Sequence, residues 1–394
     1  MPRRSNMNQF DRSIDRTGTG SIKWDRYHSK FNTDHELLPL WIADTDFRTS
    51  EEVISAIRQR VEYGVFGYTF AQNSYLETVA EWFGKRHNLP VQTSWVAATH
   101  SVVTALYFSI EELTNPGDKV LILTPSYDPF FAIIHNTGRV VEECPLQTQD
   151  SARWELDLER MESAFQQGVR AMIFCNPHNP VGRVWTREEL QQVANLCEKY
   201  RVYVLSDEIH CDMELFDNRY TSMASFENIR DLTACFTSVG KTFNLAGLCS
   251  ANLIIPDASL RERITGKIRG AWIMSPNLLS LVAAQAAYEK GETWLNEQIT
   301  YLEQNSHYVQ QFLSENLPGV KLAKHEGTFL LWMDLSSMGM EESELCARIV
   351  DTCRLGLGFG SHYGQQYGQF MRLNIGCTMA HLQECMHSLL KLPK

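Results

Sequence analysis

From about residue 96 to 237 the chain keeps running a short apolar stretch into a junction of small or polar residues. The stretches are Val96-Ala97-Ala98-Thr99, Lys119-Val120-Leu121-Ile122-Leu123, Ala171-Met172-Ile173-Phe174, Val202-Tyr203-Val204-Leu205 and Ala234-Cys235-Phe236, with Val140-Val141 marking one more. Strands this apolar need cover on both faces. Alternating with helices, they predict a mostly parallel sheet between two helical layers, an α/β fold. Two helices can be read in detail. Ser50 is placed as an N-cap, with Glu51 and Glu52 in the first turn and apolar Val53, Ile54 and Ile57 following. Thr186 and Glu189 form a capping box, followed by an inner face of Leu190, Val193, Ala194 and Cys197.

The rest of the chain has a different character. Helices are expected over 276–290, 292–317, 341–353 and 380–390, and strands over 327–334 and 370–375. These make a smaller α+β unit. Gly356, Gly358 and Gly360 are not followed by an apolar helix start, so they read as a turn and not as a dinucleotide loop. The start of the chain reads as a charged arm with a turn at Thr17-Gly18-Thr19-Gly20. The expected division is an arm and part of the small unit over 1–49, a large unit over 50–290 and a small unit over 291–394.

The net charge of −11 argues against nucleic acid or an anionic membrane as the main partner. No apolar run approaches the roughly 18 residues that span a bilayer, and Met1 to Arg16 lacks the apolar core of a signal peptide. The 10 cysteines are scattered, without a C-x-x-C pair, as expected for reduced thiols in the cytoplasm. His210 and Cys211 are adjacent, which does not give tetrahedral ligand spacing, so no metal is expected.

In a parallel α/β sheet, ligands bind beyond the carboxyl ends of the strands. Ser101, Tyr127, Asn179, Asp207, Ser238 and Lys241 all fall at such ends. Lys241 stands among small residues. A lysine in a partly apolar site loses its proton readily and can approach a carbonyl carbon. Ser238, three residues earlier, offers a hydroxyl where phosphates often sit. The pair reads as a Schiff-base lysine beside a phosphate site, or alternatively as a surface lysine in a Ser/Gly turn. Arg372 lies inside the apolar run Phe370 to Ile375, where an unpaired guanidinium would be costly, so a ligand role is favoured. Lys23-Trp24-Asp25 is an isolated motif with no chemistry that can be derived from it.

Four motifs taken together, Asn176-Pro-His-Asn-Pro-Val-Gly182, Ser206-Asp-Glu-Ile-His210, Ser238-Val-Gly-Lys241 and Arg372-Leu-Asn374, resemble the fold-type I pyridoxal-phosphate enzymes of the aspartate aminotransferase superfamily. The resemblance runs from about Lys23 to the end. It implies a large domain with a mostly parallel seven-stranded sheet and a smaller α+β domain. Lys23-Trp24-Asp25, Ala43-Asp44-Thr45-Asp46-Phe47, Val65-Phe66-Gly67-Tyr68, Pro125-Ser126-Tyr127-Asp128 and Asp207-Glu208-Ile209-His210 resemble its MalY/PatB type of cystathionine β-lyase, the carbon–sulfur lyases. Three positions depart from the wider pattern. Cys249 stands where an arginine usually grips the cofactor phosphate, Gly240 replaces a serine, and Thr45 replaces a methionine.

What the resemblance implies is specific. Lys241 would bind the cofactor and act as base, and Asp207 would pair with the pyridine nitrogen. Asn179 would donate to the ring oxygen, assisted by His210, and Tyr127 would stack on the ring. Ser101, Val102 and Ser238 would hold the phosphate, together with Tyr68 of a neighbouring subunit, which implies a homodimer. Arg372 would clamp the substrate carboxylate, with Ala43 beside it. The implied reaction cleaves L-cystathionine or another cysteine S-conjugate into a thiol, pyruvate and ammonia. Two other readings share these residues: a pyridoxal-phosphate aminotransferase, and a regulatory protein that binds the cofactor with little turnover.

Overall fold

Seven strands build the larger sheet of the computed structural model, which describes residues 8–392. In chain order they are β1 (Val96–Thr99), β2 (Lys119–Thr124), β3 (Val140–Pro145), β4 (Val169–Cys175), β5 (Tyr203–Asp207), β6 (Thr233–Thr237) and β7 (Ala251–Ile254). Across the sheet they lie in the order β1-β7-β6-β5-β4-β2-β3. β7 runs antiparallel to both of its neighbours, and every other pairing is parallel.

The period-two alternation of a strand splits the apolar residues between two cores. Along β2, Val120 and Ile122 join Leu205, Ala234, Phe236 and Leu253 on one face. Leu121 and Leu123 join Met172, Phe174, Val204 and Cys235 on the other. Helices Val102–Leu113 and Ala258–Gly270 cover the first face, through Ala105, Leu106, Ile110, Leu260 and Ile264. Helices Asn73–His87, Arg187–Tyr200 and Leu278–Lys290 contribute to the second core.

Both halves of the Thr186–Glu189 capping box form, at 3.2 and 2.8 Å. Leu190, Val193, Ala194 and Cys197 are fully buried behind it. Burial of Leu190 and of Val193 is worth roughly 1.5–3 kcal/mol each. Ser50 caps Glu51–Tyr63 as expected, its side chain accepting the Val53 N–H.

The smaller sheet contains β8 (Lys321–Leu322), β9 (Leu330–Asp334), β10 (Gly358–Phe359) and β11 (Phe370–Asn374). It is antiparallel throughout, in the order β10-β11-β9-β8. Three details differ from the sequence reading. The strand expected from 327 starts at Leu330, because Gly327 donates to the Gly182 carbonyl and Thr328 takes a positive φ of 71°. The helix expected over 341–353 is α only over Glu342–Ala347 and widens into a π turn over Arg348–Thr352. The glycine-rich segment is more than a turn. Leu355–Gly356 pairs in parallel with Leu38–Pro39, and β10 pairs with β11 beside Arg372. A Cβ on Gly360 would lie 1.9 Å from the Tyr367 carbonyl oxygen, so this close approach requires glycine.

The Lys23-Trp24-Asp25 motif acquires a physical role. Lys23 is wholly buried, its Nζ 2.7 Å from Asp46 and 3.8 Å from Asp44. Arg16 reaches both carboxylates at 2.7 Å, and Trp24 Nε1 donates to Asp46 at 3.0 Å. Asp25 accepts the Gly18 and Gly20 N–H groups at 2.8 and 2.7 Å, which closes the predicted turn. A buried ammonium is tolerable only with such partners. Their effect is to tie the arm to the segment Trp41–Phe47.

Candidate active site

Five strand ends of the large sheet deliver side chains to one region. β5 stops at Asp207, and the turn after it carries Ile209 and His210. β4 leads into Asn176–Gly182, where His178 Nε2 donates to the Pro125 carbonyl at 2.8 Å and so joins this loop to the one after β2. That second loop ends at Tyr127. β1 leads to Ser101, which caps the helix Val102–Leu113 by accepting the Thr104 N–H at 3.1 Å. β6 leads to Ser238, whose hydroxyl donates to Ser250 O at 2.6 Å and accepts the Gly240 N–H at 2.9 Å. The single helical turn that follows, Val239–Thr242, carries Lys241.

These placements create one enclosed cavity. Ala43, Val102, Tyr127, Asn179, Asp207, His210 and Lys241 all line it. The Lys241 amine donates to the Ala43 carbonyl at 2.5 Å. On its other side Lys241 borders a wider cavity of about 580 Å³, shared with Arg16, Asp44, Asp46 and Asn244. The lysine therefore stands between a closed chamber and an open one.

Electrostatics follow from burial. Lys241 is lowered to about 8, first by burial and then by the Arg372 charge, with Asp44 and Asp207 opposing. Asp207 is raised to about 7 by burial, against the Ile209 N–H hydrogen bond and the Lys241 charge. Burial, with Lys241 and Arg372 adding to it, holds His210 near 3, so its imidazole is neutral. Among the described residues His210 Nδ1 and Arg372 Nε are buried without a hydrogen-bond partner. Burial is costly for such groups unless something meets them.

Arg372 arrives from the smaller sheet. Its Nη1 donates to Asn179 Oδ1 at 3.1 Å and its Nη2 to Trp41 O at 2.7 Å, while the guanidinium lies over the Tyr363 ring at 5.1 Å. Asn374, two residues along the same strand face, donates to Ile42 O and Asp44 O, both at 2.6 Å. Asn244 donates to Thr45 O and Phe47 O at 2.9 Å. The segment lining the site beside Lys241 is thus held by side-chain amides from both sides.

Tyr68 is not brought to this cavity; it is fully exposed on the loop 64–72. Sequence reasoning gave no role to Arg16, Lys23, Asp46, Asn244, Tyr363 or Asn374. The period-two spacing of Arg372 and Asn374 was a usable signal for the last. Cys249 is half-exposed at a left-handed turn position, φ 55°, and its thiol reaches only nearby backbone carbonyls.

The sequence profile of the aminotransferase class I and II family matches residues 36–389. Cystathionine beta-lyase PatB of Bacillus subtilis (strain 168) is 37% identical over 377 residues, 95% of this chain and 97% of its own. Protein MalY of Escherichia coli (strain K12) is 32% identical over 381 residues, 96% of this chain and 97% of its own. The crystal structure of cystalysin from Treponema denticola, which contains a pyridoxal 5'-phosphate cofactor, superposes with a TM-score of 0.94 at 33% identity, covering 98% of each chain.

Proposed function

The chain belongs to the aminotransferase class I and II family, and on that premise we propose that it is a pyridoxal-phosphate-dependent carbon–sulfur β-lyase. Its substrate is L-cystathionine or a related cysteine S-conjugate, and its products are a thiol, pyruvate and ammonia. The observation that carries this reading is the convergence of Lys241, Asp207, Tyr127 and Asn179 on one enclosed cavity that a second cavity joins at the amine. Similarity to PatB and MalY favours the lyase over the aminotransferase reading.

The residues fit the cofactor chemically. A buried carboxylate, an aromatic face, an amine of lowered pKa and an unpartnered imidazole nitrogen match a charged heteroaromatic ring bearing an aldehyde. When bound, pyridoxal phosphate supplies the electron sink that lets the Cα–H and Cβ–S bonds of an amino acid break. Asp207 would hold the ring nitrogen protonated, Tyr127 would face the ring, and Asn179 would donate to the ring oxygen, assisted by His210. Ser101, Val102 and Ser238 would hold the phosphate, the first two chiefly through N–H groups at the start of the helix Val102–Leu113. Lys241 takes the Cα proton, a task suited to an amine titrating near neutrality. Arg372 grips the substrate carboxylate beside Ala43 and fixes the Cα–H bond relative to the ring.

The reading extends to assembly. Val65, Phe66, Tyr68, Phe70, Trp272 and Met274 are exposed apolar residues, and an interface between two copies would cover them. We take the active form as a homodimer in which Tyr68 serves the neighbouring subunit's phosphate. Among the described residues no helix is long and apolar enough to cross a membrane. All ten cysteines are free, which supports a cytoplasmic location. The proposed division is 1–49, 50–290 and 291–394, with the long helix Glu292–Asn316 opening the last unit.

A visible spectrum combined with a pyruvate and thiol assay tests the function. The expected result is a cofactor band lost in Lys241→Ala, with L-cystathionine yielding pyruvate and thiol in the wild type alone. Amino transfer to a keto acid without pyruvate would replace the lyase with the aminotransferase. A band without either activity would favour a regulatory protein.

A further inference from the structure

Lys241 sits on one helical turn, Val239–Thr242. A single turn has too few internal hydrogen bonds to hold its own position, because nucleation costs more than it returns. Its placement must come from its neighbours, and Thr242, the next residue, carries one such tie. The buried Thr242 hydroxyl donates to Asp212 Oδ2 at 2.8 Å. Asp212 is itself buried and immobilised. Its Oδ1 accepts from Trp82 Nε1 at 2.9 Å and His87 Nε2 at 2.8 Å, and Arg86 Nε lies 3.6 Å away.

Two readings of this cluster compete. The ligand atoms of His87, Cys211 and Asp212 lie within 4.8 Å of one another, a spacing that could suit a metal ion. Against a metal, Asp212 already has three hydrogen-bond donors and a neighbouring guanidinium. The groups around it are Arg86 and His87 from helix Asn73–His87, Tyr288 from helix Leu278–Lys290 and Cys211 from its own segment, while Glu214 faces the far nitrogen of His87 at 3.8 Å. Burial would raise Asp212, but the His87 and Arg86 charges and the His87 and Thr242 hydrogen bonds hold its pKa down, so it stays an anion and a strong acceptor.

We propose that Asp212 is a positioning residue for Lys241: through Thr242 it fixes the turn that carries the amine, and Trp82 and His87 fix Asp212 in turn. This rests on Lys241 being the reactive amine of the proposed lyase. The tie transmits the rigidity of a fifteen-residue helix, Asn73–His87, to a four-residue one.

The test uses the full chain carrying Thr242→Val, which removes the donor at nearly constant volume, with Thr242→Ser as the rescue. Two readouts are taken on protein whose melting is unchanged. In steady-state assays Thr242→Val is expected to lower kcat roughly tenfold or more with KM little altered, since small misplacements of a catalytic group have effects up to about a hundredfold. In the cofactor-free chain, the pH midpoint for acylation of Lys241, read by mass spectrometry, is expected to rise from about 8 toward an ordinary lysine value. A loosened turn lets water reach the amine and relieves the burial that lowers it. Thr242→Ser is expected to restore both. Unchanged kcat and midpoint in Thr242→Val would overturn the proposal, and so would failure of Thr242→Ser to restore them. Persistence of the cofactor band in Lys241→Ala would instead overturn the functional reading beneath it.

Discussion

Arg372 and Asn179 meet at 3.1 Å, joining a strand of the smaller sheet to a loop of the larger one at the cavity that holds Lys241. The guanidinium keeps its orientation through Asn179, Trp41 O and the Tyr363 ring, and its buried Nε has no partner among the described residues. Lysine cannot reproduce this fork. Arg372→Lys is expected to raise KM for the amino-acid substrate roughly tenfold to a hundredfold, the worth of one charge-assisted hydrogen bond. The cofactor band should be retained. Steady-state kinetics would check this, and an unchanged KM would remove Arg372 from substrate recognition.

Burial of Asp207 makes its contribution to stability depend on pH. Burial raises its pKa from 3.8 to about 7. Between those values the folded chain keeps a proton that the unfolded chain has released, so this group's contribution to stability falls as pH rises from about 4 to 7. Above 7 the loss is complete. Asp207→Asn does not titrate. In the cofactor-free chain it is expected to gain on the wild type by roughly 2–4 kcal/mol at pH 8 relative to pH 4, at about 1.36 kcal/mol per unit. It should also abolish turnover. Urea unfolding at the two pH values measures the difference, and a gap that does not widen with pH would show that Asp207 is not strained by burial.

Lys23 and Asp46 form a buried pair within a four-charge cluster. Removing one partner leaves charge without full compensation, typically at 3–5 kcal/mol. Asp46 keeps Arg16 and Trp24, so Lys23→Met is expected near the lower end, at about 3 kcal/mol. A denaturant midpoint measures it. A loss below about 1 kcal/mol, the range of an exposed pair, would mean that the cluster readily exchanges partners.

Much of this architecture was legible in the chain. The continuous apolar stretches announced six of the seven large-sheet strands, and the candidate residues at their ends followed from the geometry of parallel sheets. β7 escaped because Asn252 interrupts its apolar run, so Ala251–Ile254 shows no continuous apolar stretch. The Lys23 cluster escaped for another reason. Its members, Arg16, Lys23, Asp44 and Asp46, are spread over thirty residues in separate motifs, and only the folded chain shows that they meet and that Lys23 is wholly buried. Asp212 escaped likewise, since a carboxylate four residues beyond Glu208 carries no local sign of a threonine thirty residues later.

The N-terminal arm reaches the Lys241 amine through a short relay. Arg16 grips Asp44, and the residue before Asp44, Ala43, receives the Lys241 hydrogen bond. Where the chain is cut or tagged therefore matters in an uneven way. Trimming that stops short of Arg16 leaves the relay whole, whereas trimming past it removes the grip on Asp44 and Asp46 in the wall of the wider cavity while Lys241 itself remains in place. An inactive preparation of this protein with an intact sheet should first be weighed by mass to learn where its arm begins.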